Sequence, residues 1–294
     1  MTPATDSSSR QKQTLSSETL RLRQDVYDRY SVPQIDYHGW VLDRLRWRGD
    51  EHVLDVGCGP GDYYQALTRR YPEIDYVGVD LSPEMLESNP ARPDAVQADI
   101  GGLPFASDSF DVVMANHILF LIQDRDQAIS ELRRVLKPDG VLLASTNSIH
   151  TMPEFQALMR RALVLLGASG KGQVQPPQFP HHSFSLENGT RQLAEHFFAV
   201  VRYDLPTALV FPSIDPIISF LDSTRIMREP YLPEDITWDD LMMVMREQMA
   251  ALLTHFGELV INKISGVLVA SDAGGFIQDF VGRQNGHHTD DGTF

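Results

Sequence analysis

The chain has 294 residues, a net charge of −15 and a hydrophobic fraction of 42%, enough apolar side chain for one large domain or for a core with a cap. Its acidity, and the lack of a basic stripe with interleaved aromatics, argue against a nucleic-acid partner, because such binding leans on clustered Lys and Arg. No apolar stretch approaches the roughly 20 residues needed to cross a bilayer, the Ser/Thr/Gln-rich start has no apolar signal core, and the single cysteine, Cys58, excludes an intramolecular disulfide and suits a reducing cytoplasm.

Residues 1–18 are polar and are expected to form a disordered tail. Leu20 to Tyr30 has helical spacing, and Tyr37 to Leu45 reads as a second helix, so 19–50 forms an N-terminal helical segment. The spacing then predicts strand 52–57, helix 62–70, strand 75–80, helix 83–88, strand 95–99, strand 110–116, helix 124–136 and strand 141–147. This alternation predicts an α/β fold with a parallel, doubly wound sheet over 51–147. Lys137-Pro138-Asp139-Gly140 is a turn signal that stops a helix.

After Asn147 the rhythm changes. Segment 148–185 holds an amphipathic helix, with Phe155, Leu158, Met159, Ala162, Leu163 and Leu166 at helical intervals, and a Gly/Pro/Gln-rich loop from Gly167 to Ser183. Residues 186–211 return to the core as a helix capped by Ser185 and a strand region from Ala199 to Phe211. Helices over Ser213–Thr224 and Asp239–Phe256 make 212–257 an insertion. Segment 258–273 carries a final strand, broken by the polar pair Asn262-Lys263, and 274–294 is expected to be a flexible tail. Segments 148–185 and 212–257 are expected to form a helical cap over an apolar pocket.

The most informative stretch is Val53-Leu54-Asp55-Val56-Gly57-Cys58-Gly59-Pro60-Gly61. A buried strand feeds a turn in which Gly57, Gly59 and Gly61 alternate, and a helix follows. Glycine permits positive φ and lets backbone approach a ligand, while the helix N-terminus presents N–H groups to it. A second apolar run, Tyr76-Val77-Gly78-Val79, ends in Asp80, whose carboxylate can accept hydrogen bonds from a ribose diol. A third, Ala95-Val96-Gln97-Ala98, ends in Asp99-Ile100, placed to meet an adenine edge. Three strands that each end in a carboxylate point to a nucleotide-like cofactor.

On these residues the chain resembles the class I S-adenosylmethionine-dependent methyltransferases, in the small-molecule branch that includes the ubiquinone and menaquinone biosynthesis enzymes. The match runs through Val79-Asp80-Leu81-Ser82, Ala98-Asp99-Ile100, Leu103-Pro104-Phe105, Ser109-Phe110-Asp111-Val112-Val113 and Leu136-Lys137-Pro138-Asp139-Gly140. It is strong over residues 50–147, weaker over 20–49, and only general beyond. The resemblance implies a Rossmann-like sheet of seven strands, mostly parallel with an antiparallel last strand. It implies S-adenosyl-L-methionine held by Asp55, Gly57, Gly59, Gly61, Asp80, Leu81, Asp99, Ile100 and Asn116. It also implies an N-terminal lid over the cofactor, with Tyr30 as its contact.

The methyl carrier is already activated, so proximity and orientation can supply most of the acceleration, and a base matters only where the nucleophile must lose a proton. His117, after Asn116 at the end of the fourth core strand, is the candidate catalytic residue, as base or orienter; the competing reading is a histidine that only bonds backbone. Where many relatives carry Tyr-His-Val this chain has Phe120-Leu121-Ile122, which makes the wall apolar. The expected acceptor is a small, largely apolar metabolite, methylated on oxygen, nitrogen or carbon. A protein of this fold acting as a cyclase or binding module is the alternative. Strand four lacks the Asn/Asp-Pro-Pro-Tyr/Phe signature of nucleic-acid amino-methylation. His181-His182 has no further ligand at metal spacing and reads as an exposed loop. His38 and His150 are pocket candidates, Cys58 reads as packing, and Met242, Met243, Met245 and Met249 read as a core stripe.

Overall fold

A computed structural model describes residues 16–91, 95–168, 175–177 and 180–273. The expected tails at 1–15 and 274–294, and part of the Gly/Pro/Gln-rich loop, lie outside the described residues. In chain order the elements are α1 (Ser17–Tyr30), β1 (Ser31–Val32), α2 (Tyr37–Leu42), β2 (His52–Val56), α3 (Asp62–Arg70), β3 (Asp75–Asp80), α4 (Pro83–Ser88), β4 (Ala95–Gln97) and β5 (Phe110–Met114). There follow α5 (Arg125–Val135), β6 (Leu136–Asn147), α6 (Pro153–Leu165), α7 (Leu186–Ala194), β7 (Ala199–Phe211), α8 (Ile214–Asp222), α9 (Arg225–Arg228), α10 (Trp238–Phe256) and β8 (Leu259–Ser271).

The strands form one sheet in the order β1-β7-β8-β6-β5-β2-β3-β4. β6, β5, β2, β3 and β4 run parallel, and β8 lies antiparallel between β6 and β7. This is the expected seven-stranded Rossmann-like sheet with one addition: Ser31–Val32 pairs antiparallel with β7 at its edge, making eight strands. Two residues carry too little pattern to be read as a strand.

Both sheet faces are covered. One apolar cluster joins β2, β5 and β6 to α5 and α7 through Leu54, Val113, Ala144, Ile129, Leu132 and Leu193. Val53, Val112, Leu143, Val267 and Val269 point the other way, against Val41 and Leu42 of α2 and Leu67 of α3. This is the period-two alternation of a strand buried on both faces.

The Lys137–Gly140 turn expectation is corrected: β6 begins at Leu136, directly after α5. Phe110 pairs with Leu136 and Val112 with Val141, so residues 137–140 bulge opposite Asp111. The Lys137 ammonium meets the Asp111 carboxylate at 2.9 Å there. The helix does stop, but the chain stays extended.

A third cluster lies beyond the sheet proper. β8 pairs with β6 only from Ser265 onward, while Leu259 to Ile264 continue paired to β7 alone, as a two-stranded arm. The arm runs past Asn147, on the side of the sheet where the parallel strands have their carboxyl ends. Around it pack Phe155, Met159 and Leu163 of α6, Ile217 and Phe220 of α8, and Trp238, Met242, Met245 and Met249 of α10. Met243 is exposed, so the methionine stripe is core on one helix face. The α1 residues Val26, Tyr27 and Tyr30 join this cluster, and Arg23 bonds the Ser223 hydroxyl and carbonyl at the end of α8.

Candidate functional site

The glycine turn is built at the end of β2. Gly57, Gly59 and Gly61 take φ of 73°, 53° and 89°, conformations that favour residues without a Cβ. The Gly57 and Cys58 amides donate to the Val79 carbonyl at 2.7 and 3.0 Å, pinning the turn to β3. A Cβ at Gly59 would meet nothing within 4 Å, so this glycine faces open space. At Gly61 it would stand 2.5 Å from Asn89 Oδ1.

Asp80, at the end of β3, accepts from the Gly59 amide at 3.0 Å and from the Ser82 amide at 2.8 Å. Each oxygen keeps lone-pair capacity for a further donor. Asp80 thus ties the glycine turn to the start of α4 and still presents an acceptor edge. Leu81 follows it, exposed. Asp99 is exposed and accepts from the Gly101 amide at 3.0 Å, while Ile100 is buried. Asp55 differs from these carboxylates. It is 1% exposed and accepts the Tyr76 hydroxyl at 2.8 Å. Burial raises its pKa to about 7, against the pull of that hydrogen bond.

Asn89 was not singled out from sequence. Its side-chain amide donates to the Gly59 carbonyl at 3.0 Å and to Cys58 Sγ at 3.3 Å, and its oxygen accepts from the Ala91 amide at 2.8 Å. It locks the turn from behind. An Asn-Pro pair marks a turn, but nothing local says which turn it braces. Cys58 is buried and its thiol pKa is raised by burial, so packing is its role.

At the end of β5, both polar atoms of the Asn116 side chain are buried and have no protein hydrogen-bond partner. Such atoms are costly unless something meets them. His117 follows at φ 54°, a left-handed conformation unusual for a side chain with a Cβ. Its amide donates to the Ser145 carbonyl at 3.0 Å. Its Nε2 lies 3.0 Å from the Tyr37 hydroxyl. Burial lowers the imidazole pKa to about 3, with the Lys263 charge, then His38 and His181, pushing the same way. Burial also holds the Tyr37 phenol well above its ordinary value. We therefore assign the shared proton to the tyrosine oxygen, which donates to a neutral imidazole. Ser145 and Tyr63 stand close by, the Ser145 hydroxyl being a hydrogen-bonding neighbour of both the Tyr37 and the Tyr63 phenol.

The structure brings together Gly57, Gly59, Gly61, Asp80, Asn116 and His117 along neighbouring strand ends. Tyr30 falls elsewhere: its ring packs on Phe211 of the arm, centroids 4.9 Å apart. Tyr37 is the N-terminal aromatic that reaches β5. Lys263 also comes in, its Nζ 4.5 Å from the Tyr27 ring centroid and 5.4 Å from that of Tyr37. Burial lowers its pKa to about 8, so it is charged at pH 7. His38 sets its ring 4.8 Å from Tyr63, whereas His150 is exposed. The exposed-loop reading of His181 is corrected. It is 4% exposed, in a turn after the loop, with its ring against Phe120. Among the described residues, no cluster of three or more His, Cys, Asp or Glu could hold a metal ion, and no helix is long and apolar enough to cross a membrane.

These residues fit S-adenosylmethionine. Gly59 leaves room for it, the Asp80 edge suits a ribose diol, and the unpartnered Asn116 amide can donate and accept at its amino-acid end.

Residues 54–144 match the family described as "Methyltransferase domain". Two malonyl-[acyl-carrier protein] O-methyltransferases are similar. The one from Methylovorus sp. (strain MP688) is 35% identical over 150 residues, 46% of this chain and 51% of the relative. The one from Legionella pneumophila is 31% identical over 148 residues, 48% and 52% of the two chains. This chain thus spans about half the length of these curated relatives. A candidate methyltransferase of Bacillus halodurans shares the fold, with a TM-score of 0.53 at 17% identity, covering 81% of this chain and 99% of that one. The matched segment contains the glycine turn, Asp80, Asp99 and Asn116, and over it this chain is similar to the class I methyltransferases that use S-adenosylmethionine.

Proposed function

We propose that this protein transfers a methyl group from S-adenosylmethionine to an oxygen, nitrogen or carbon atom of a small, largely apolar acceptor. The observation that carries the reading is Asn116. Its buried amide has no hydrogen-bond partner, and it stands one residue before His117, after the strand that neighbours β2 and its glycine turn. When bound, the cofactor supplies an electrophilic methyl on a sulfonium. The chain's own residues then bind and orient. Asp80 takes the ribose hydroxyls. Asp99, Ile100 and Leu81 frame the adenine side. Asn116 holds the amino-acid end. Asp55 acts indirectly, bracing β2 against β3 through Tyr76.

His117 is a positioning residue in this reading. An imidazole with a pKa near 3 has little appetite for a proton, and its Nε2 already accepts the Tyr37 hydroxyl. It fixes Tyr37 against the acceptor space. The names of the curated relatives support a finer form, in which the acceptor is an acyl group delivered by an acyl carrier protein. The single cysteine supports a cytoplasmic setting.

The test is transfer of labelled methyl from S-adenosylmethionine to a panel of apolar small molecules and acylated carrier protein. Label in at least one small acceptor and none in nucleic acid is the expected result. Cofactor binding with no transfer to any acceptor would leave a cyclase or binding module. Asp80→Ala should weaken binding of S-adenosylhomocysteine by roughly 10–100-fold, since hydrogen bonds to a charged group are worth about 1.5–3 kcal/mol. Calorimetry on the folded variant reads this directly, and unchanged affinity would remove Asp80 from the site.

A further inference from the structure

Lys263 leaves β8 on the face shared by Ser265, Val267 and Val269, directed at α1 and α2, and is half-buried there. Its neighbours are the rings of Tyr27 and Tyr37. Among the described residues no Asp or Glu pairs with its ammonium, and desolvation lowers its pKa. Beside it stand two phenols and the neutral His117 imidazole, with the Arg23 guanidinium acting on the same Tyr27. In a chain of net charge −15, the Lys263 ammonium thus has phenol rings but no carboxylate beside it among the described residues. A desolvated ammonium without a counterion costs stability, and a chain has a reason to keep one where a ligand brings the opposite charge. Beyond Tyr27 the surroundings turn apolar, with the core side chains Val26, Leu209 and Phe220. A ligand that fits has an anionic head and a hydrocarbon body.

We propose that Lys263 holds a carboxylate of the methyl acceptor beside the Tyr37–His117 pair, so that the substrate is an apolar carboxylic acid methylated on oxygen. The inference rests on the methyl-transfer reading above. One carboxylate oxygen forms a bond to the methyl carbon while the carbon–sulfur bond breaks. The electron pair stays on sulfur, which passes from sulfonium to neutral thioether, and the carboxylate becomes a neutral ester. No proton is released, so the step needs no base, in keeping with an imidazole that is hydrogen-bonded and neutral. The ester no longer matches the Lys263 charge, which favours product release.

The experiment uses the full chain saturated with S-adenosylhomocysteine and titrated by calorimetry with straight-chain monocarboxylates from butanoate to dodecanoate and with alcohols of equal length. The wild type should bind the best acid at least 10-fold more tightly than its alcohol. Lys263→Met should erase that preference while leaving S-adenosylhomocysteine affinity unchanged. Its melting temperature should be no lower than that of the wild type, because a half-buried charge with no carboxylate partner is gone. Lys263→Arg should keep a preference for the acid. Equal binding of acids and alcohols by the wild type, or a preference that survives Lys263→Met, would overturn the proposal. So would a parallel fall in S-adenosylhomocysteine affinity, which would make Lys263 a cofactor contact, or a marked drop in melting temperature, which would make it structural. A wild type that does not bind S-adenosylhomocysteine at all would instead remove the methyl-transfer reading beneath it.

Discussion

Acidification from pH 6.5 to 4.5 is expected to destabilise this protein by about 2 kcal/mol, a sizeable part of a domain's total stability. The cause is a pair of buried histidines. Burial lowers both His117 and His181 to about 3 in the folded chain, while an unfolded histidine titrates near 6.5. A depressed folded pKa gives stability that is present above the unfolded value and is lost as the pH falls towards the folded one. Over these two pH units each histidine loses about 2.3 kcal/mol, since the slope of about 1.36 kcal/mol per unit is reached only below the unfolded pKa. Asp55 works in the opposite sense. Its folded pKa is raised to about 7, so its contribution is full below the unfolded value near 3.9 and fades as the pH rises through 7. On acidification it returns roughly what one histidine loses, and the net is one histidine's worth. These are upper figures, since His117 keeps some surface open to the site. Urea unfolding at pH 6.5, 5.5 and 4.5 reads the slope above the range where the ion-paired carboxylates Asp111, Glu131 and Glu187 take up protons. Asp55→Asn should roughly double the loss, and His181→Asn should flatten it. Stability that does not change over this range would contradict the burial assigned to both histidines.

Substitution of two neighbouring glycines should separate ligand contact from scaffold. In Gly61→Ala, a Cβ at φ 89° would press on Asn89 Oδ1 and on Pro90 Cδ, 2.8 Å away. Asn89 would have to move, with its bonds to Gly59, Cys58 and Ala91. Left-handed strain alone costs about 1–3 kcal/mol, and each hydrogen bond lost adds about 1 kcal/mol. The variant should melt several degrees lower and bind S-adenosylhomocysteine on the order of 100-fold more weakly. In Gly59→Ala the added Cβ meets no protein atom, so only the backbone cost of about 1–2 kcal/mol applies. Its methyl group instead enters the open space before the turn. Cofactor affinity should fall as far as in Gly61→Ala, with a much smaller change in melting temperature. Full cofactor binding by Gly59→Ala would show that the turn does not face the ligand.

The sheet and its glycine turn were legible because their signals are local. An apolar run, a glycine turn and a carboxylate lie within a few residues of one another, and the β2–β3 and β3–β4 ladders follow the chain. The acceptor end was not legible in this way. Tyr37 and His117 are separated by 80 residues, and Lys263 comes from the last strand. What placed Lys263 was the parity of β8, which puts 263 on the face of Val267 and Val269; the sequence marked it only as a polar break. His181 misled because composition describes a loop, not what the loop returns to. The Lys137–Gly140 signal was real as chain punctuation, yet it became a bulge because Leu136 still pairs with Phe110. Tyr30 and Tyr37 look equivalent in sequence, and only the short edge pairing of Ser31 with Leu209 turns Tyr30 toward the arm.

The arm has a mechanical consequence. Its two strands are paired without interruption from Ala199↔Ser271 in the sheet to Phe211↔Leu259 at the tip. The Glu154 carboxylate accepts from the Asn262 amide at 3.1 Å and so clamps α6 to it. A ladder of that kind behaves as a stiff beam, with no joint along its length. Lys263 rides on this beam together with the arm residues that α6, α8 and α10 grip, so the charge and the apolar wall keep a fixed spacing whatever the rest of the protein does. Acceptors of different length would then have to be accommodated from the opposite bank, by movement of α1 and α2 across Tyr27 and Tyr37, and selectivity for chain length would reside in those two helices.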